Sequence, residues 1–63
     1  MKVEVHCDNG RVYKGTLHDT DTSFIFVKMN NKILVMHWDK VVKAFRVTRE
    51  GKKPMSVKRY RRS

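Results

Sequence analysis

The chain is punctuated at intervals too short for helices. Turn-forming clusters stand at Asp8-Asn9-Gly10, at Asp19-Thr20-Asp21-Thr22, at Asn30-Asn31 and at Asp39-Lys40. Between and beyond them lie runs of six to eight residues: 2–7, 11–18, 23–29, 32–38 and 41–48. A segment of that length gains little from a helix's cooperative hydrogen bonds, but it makes an ordinary strand. The first run, KVEVHC, alternates strictly, with Val3, Val5 and Cys7 on one face and Lys2, Glu4 and His6 on the other. Asn9 and Gly10 tolerate positive φ and predict a hairpin turn. The return run places Tyr13, Gly15 and Leu17 opposite Val12, Lys14 and Thr16. Runs 23–29 and 32–38 carry apolar side chains on both faces. Pro54, which has no N–H, argues against sheet pairing beyond the fifth run. The expected fold is all-β: a small, strongly bent five-stranded barrel over residues 1–49, followed by a flexible tail over 50–63. Gly15 marks the place where the second strand bends.

Charge divides the chain at the same boundary. Residues 1–50 hold nine basic and six acidic groups, a net of +3, whereas residues 51–63 hold six basic groups and no acid. A polyanion is the implied partner, with nucleic acid ahead of an anionic membrane, because the tail has no long apolar face. With 63 residues the core is small, and such chains lean on very good packing, crosslinks or assembly. The single cysteine, Cys7, excludes an internal disulfide and a cysteine-based zinc site. The N-terminal MKVEVHC lacks the apolar run of a signal peptide, so a cytoplasmic location is expected. The doubly apolar runs 23–29 and 32–38 exceed what one interior needs, and their excess predicts subunits joined edge to edge.

Catalytic chemistry has little to build on. His6, His18 and His37 are scattered, and no metal site is expected from them. Asp19 and Asp21 read as residues that accept turn amides, with Asp21 bracing the turn before the third run. Cys7 shares a face with Val3 and Val5 and reads as a buried small hydrophobe. The expectation is no enzyme and no cofactor.

Binding has more to work with. Single-stranded nucleic acid is held by cations on its phosphates and by aromatic rings under its bases. The candidates within the barrel are His37, Trp38, Lys40, Phe24, Tyr13 and Lys14. Those in the tail are Lys52, Lys53, Lys58, Arg59, Tyr60, Arg61 and Arg62. Single-stranded RNA is the first expected partner, and DNA the alternative.

The stretch NGRVYKGTLHDTD resembles the first motif of Sm and Sm-like proteins, through Gly10, Tyr13, Gly15, Leu17 and Asp21. DTSFIFVK and VMHWDKVV are similar to runs of the bacterial Hfq-type RNA chaperones, with His37 in the place of that family's histidine. The resemblance covers residues 3–47 and implies an Sm-like (SH3-like) barrel. It further implies a homo-oligomeric ring of six or seven that pairs strand 4 to strand 5. The implied function is RNA-chaperone activity on uridine-rich RNA held in a pore. The chain departs from the family in lacking an N-terminal helix and in carrying Val35 and Met36 before the histidine. Two other functions are compatible with the residues. One is a monomeric or dimeric small barrel acting as a DNA-binding accessory protein. The other is a structural adaptor tethered by its basic tail.

Overall fold

The computed structural model describes residues 1–57 and contains six strands. They are β1 (Lys2–Cys7), β2 (Val12–Thr20), β3 (Phe24–Met29), β4 (Lys32–His37), β5 (Val41–Thr48) and β6 (Gly51–Met55). A 3-10 turn, Trp38–Lys40, joins β4 to β5. All neighbours are antiparallel, in the order β4-β3-β2-β1-β5-β6.

Local chemistry accounts for the turns. Gly10 takes φ +88° between β1 and β2, while Asn9 Oδ1 accepts from the Arg11 amide (2.9 Å). The two-residue loop between β3 and β4 places φ +54° on Asn30, a conformation that asparagine tolerates better than most residues. Asp21 Oδ1 accepts from the amides of Ser23 and Phe24, both at 2.8 Å.

Gly15 is required by a close approach. A Cβ there would lie 2.5 Å from the Lys28 carbonyl oxygen and 2.8 Å from Val27 Cγ1, so only glycine lets β3 come this near. Two bulges, at Leu17/Asp19 and at His6/Cys7, offset the ladders on either side of the β1–β2 pair.

The core lies on one face. Val3, Val5 and Cys7 of β1 pack with Ile25, Val27, Met36, Val41, Ala44 and Trp38. Met55 and Val57, beyond the fifth run, pack against this cluster as half-buried residues. Sheet pairing therefore continues past Pro54, which sits opposite Phe45 on the outermost strand. An edge strand is where a residue without an N–H can sit without losing a ladder bond.

The expected barrel does not form. Every substantial strand–strand contact is between ladder neighbours, and β4 and β6, the two ends of the sheet, are not paired. A barrel exists only when its end strands close the ladder. The structure is all-β, but it is an open six-stranded sheet and not a strongly bent, closed five-stranded Sm-like or SH3-like barrel.

Candidate interaction surface

The two faces of the sheet differ in chemistry. Residues directly opposite in an antiparallel ladder share a face, and the registers define the outer one. It carries Lys2, Glu4 and His6 of β1, then Val12, Lys14 and Thr16 of β2, then Lys43, Phe45 and Val47 of β5. Lys28, Phe26 and Phe24 of β3 follow, opposite Ile33, Val35 and His37 of β4.

Glu4 is the buried charge of this face, only 4% exposed. His6 Nε2 donates to its Oε2 at 2.6 Å, and Lys52 Nζ does so at 3.1 Å. These two donors, His6 first, hold its carboxyl below the ordinary value. Lys52 comes from β6 and reaches over β5, so this contact ties the last strand to the first. Phe45 lies beneath the same group. His6 meets its ring edge-on at 5.5 Å, and Lys43 Nζ and Lys52 Nζ each lie 5.8 Å from its centre.

The β3–β4 part of the face is apolar. Phe24, Ile33 and Val35 are 38%, 44% and 51% exposed, with Phe26 half-buried among them. They border the free edge of β4. Counted outward from the two-residue turn, hydrogen-bonded pairs alternate with non-bonded ones, starting at Met29 and Lys32. Ile33, Val35 and His37 thus direct their N–H and C=O groups away from β3, into the open edge. A groove of about 490 Å³ runs beside that edge, lined by Leu34 to His37, by Cys7, Asp8, Asn9 and Tyr13 of the first hairpin, and by Lys40.

Against this geometry the sequence-derived candidates separate. His37, Lys40 and Tyr13 share the groove at the β4 edge. Phe24 stacks edge-on against His37, with ring centres 5.1 Å apart. The His37 ring is also engaged locally, since Nδ1 accepts from the Asp39 amide at 3.1 Å. Lys14 lines a separate groove on the outer face, with Lys52. Trp38 is 2% exposed and donates from Nε1 to the Asp21 carbonyl oxygen at 2.9 Å, so it offers no ring face to a ligand. Lys53 is exposed and lies 3.7 Å from Glu50. Lys58, Arg59, Tyr60, Arg61 and Arg62 lie outside the described residues. Cys7 is buried, donates to Met36 Sδ at 3.6 Å, and has its thiol pushed up by burial. Among the described residues, no three His, Cys, Asp or Glu side chains are grouped to hold a metal, and no helix is long and apolar enough to cross a membrane.

Sequence reading missed Glu4 as a buried charge, and Ile33 and Val35 as an exposed pair at an edge. The apolar side chains on both faces of residues 32–37 carried the second of these. The first depends on β6, which has no apolar alternation to announce it.

No protein-family model, no curated protein and no solved structure matches the chain. The open sheet lacks the closure an Sm-like barrel requires, and β5 is already paired on both sides, by β1 and by β6. The strand 4 to strand 5 joint of an Sm-like ring has no free partner in this sheet. The Sm-like and Hfq-like assignment is therefore withdrawn. With it go the Sm-like RNA-binding and chaperone function, the pore-held uridine-rich preference, and the alternatives of a DNA-binding small barrel and of a barrel tethered by its tail as an adaptor.

Proposed function

We propose that this protein acts by assembly and not by catalysis: its β4 edge pairs antiparallel with β4 of a second copy. The observation that carries the reading is that one sheet edge is open and apolar while the other is guarded. Ile33 and Val35 project exposed side chains beside outward-directed amides, the arrangement that edge strands normally avoid. The β6 edge carries Lys52, Lys53 and Pro54, which discourage strand addition.

A two-fold interface uses the same patch twice. To keep both cores on one side of the joined sheet, the paired positions must sum to an even number. Pairing about Val35 engages all three outward-directed residues: Ile33 opposite the second copy's His37, Val35 opposite Val35, and His37 opposite Ile33. It also brings Lys32 next to the second copy's Trp38–Asp39 end, where the Asp39 carboxylate is exposed.

The test is the solution mass of the full chain, free of nucleic acid, together with crosslinking of Val35→Cys. The expected results are a two-chain mass and a Val35→Cys crosslink stronger than that of Leu34→Cys. A monomer, or a mass of six or seven chains, overturns the isologous pairing.

A further inference from the structure

The outer face holds a cross-strand row that spans every strand of the sheet. Following the registers, it runs Lys52 of β6, Val47 of β5, Lys2 of β1, Thr16 of β2, Lys28 of β3 and Ile33 of β4. A lysine falls on every second strand, and strands lie about 4.8 Å apart, so the cations repeat at roughly 10 Å. Lys14 stands two pairs along from Thr16, on the same face and beside the row. Lys2, Lys14 and Lys52 line a single groove of about 500 Å³ over Gly15 and Thr16. The acid within that groove is Glu4, buried and already bonded to His6 and Lys52. Among the described residues, no carboxylate lies within ion-pair distance of Lys2, Lys14 or Lys28. Asp19, the other acid on this face, sits beyond the bulge opposite Phe26.

We propose that this row is a binding track for a linear phosphate polymer, recognised by charge alone. A row of lysines on a rigid sheet contacts phosphates as spaced point charges and asks nothing of the groups between them. Base stacking plays no part at the groove, because the ring beside Lys2, Lys14 and Lys52 is engaged. Phe45 lies beneath His6, Lys43 and Lys52, and Trp38 is in the core. The track does not depend on β4 pairing, since Lys2, Lys14 and Lys52 all lie in one chain, toward the other end of the sheet.

The experiment measures binding of the full chain to inorganic polyphosphate, single-stranded DNA and duplex DNA of matched phosphate number, across a salt series. Two variants of equal net charge are compared. One is the track triple Lys2→Gln, Lys14→Gln, Lys28→Gln. The other is the control triple Arg11→Gln, Arg46→Gln, Arg49→Gln, none of which lies on the track or at the β4 edge. All six positions are exposed, and Lys52 is kept because it holds Glu4. Circular dichroism and thermal melting verify that both variants fold. Each lost phosphate contact flattens the logarithmic salt dependence on duplex by about 0.9. The track triple is therefore expected to lose about 2 to 3 from that slope, with at least a tenfold loss of affinity at low salt. The control triple is expected to change both far less. All three polymers should bind. Equal losses from the two triples, or a clear preference for single-stranded over duplex DNA, overturn the proposal.

Discussion

The two edges of the sheet are built from opposite chemistries. β6 ends the sheet with GKKPM: two lysines, a proline and no alternation. β4 ends it with KILVMH: four apolar residues in a row, apolar on both faces, and free of proline or acid. Both are hydrogen-bonded on one side only. An open edge invites another strand, and β6 answers with charge and a missing donor, while β4 makes no such provision. The difference implies that β6 is an end and β4 a joint. The outer face follows the same division, with lysines gathered toward β6 and aromatic and branched residues toward β4.

The largest expected effect removes the support of the β4 half. Trp38→Ala deletes a core side chain and its Nε1 bond to Asp21. Truncations of this kind cost about 3–5 kcal/mol, a large part of the stability of so small a domain. Urea unfolding should show a much lower midpoint. A midpoint near wild type would mean that Trp38 does not anchor β4. Gly15→Ala acts at the junction of the halves, where a Cβ meets the Lys28 carbonyl oxygen at 2.5 Å. Overpacking of this kind costs about 1–3 kcal/mol, and the same urea titration measures it.

The next effects alter the edges themselves. Val35→Lys gives β4 the protection that β6 has. It should convert the two-chain species to monomer by sedimentation, with the unfolding midpoint of the isolated chain shifted by less than about 0.5 kcal/mol in stability. The reciprocal change, Lys53→Val with Pro54→Thr, removes protection from β6. It should add higher-order association to the pair, because each dimer would then present two further open edges. If both variants sediment as wild type does, the contrast between the edges has no consequence for assembly.

What the sequence made legible follows from the range of each interaction. The first five strands follow from alternation and turn chemistry, which act within a few residues, and the observed bounds differ by at most two residues. Whether a sheet closes depends on its two ends meeting, and no local pattern carries that information. β6 was missed for a related reason. Pro54 argues against a central strand, and it is accommodated because Met55 and Val57 pack on the core and leave Pro54 on an outer edge. Trp38 stood at an apparent strand end, and its burial depends on a carbonyl oxygen 17 residues earlier. Glu4 sat on the polar face of KVEVHC and is buried because β6 places Lys52 beside it. The site residues split in the same way. His37, Tyr13 and Lys40 converge at the β4 edge, whereas Lys14 belongs with Lys2 and Lys52, two partners that only the strand order reveals.

The smallest expected effect is a pH dependence confined to β6. Glu4 is held below its ordinary value of 4.5 by the hydrogen bonds from His6 and Lys52. Folding therefore favours its ionised form. That contribution is complete above the unfolded value and is lost as pH falls through the lowered folded one. Once Glu4 is protonated, Lys52 loses its carboxylate partner, and β6 keeps only its ladder with β5 and the packing of Met55 and Val57. Amide exchange in β6 should thus quicken relative to the other strands, once corrected for intrinsic rates, as pH is lowered from 7 toward 3. In Glu4→Gln the ion pair is absent at every pH, so β6 exchange should already be faster at pH 7 and show little further change. Parallel pH responses in wild type and variant would mean that the ion pair does not hold the guarded edge in place. The difference between the edges would then rest on lysine and proline alone.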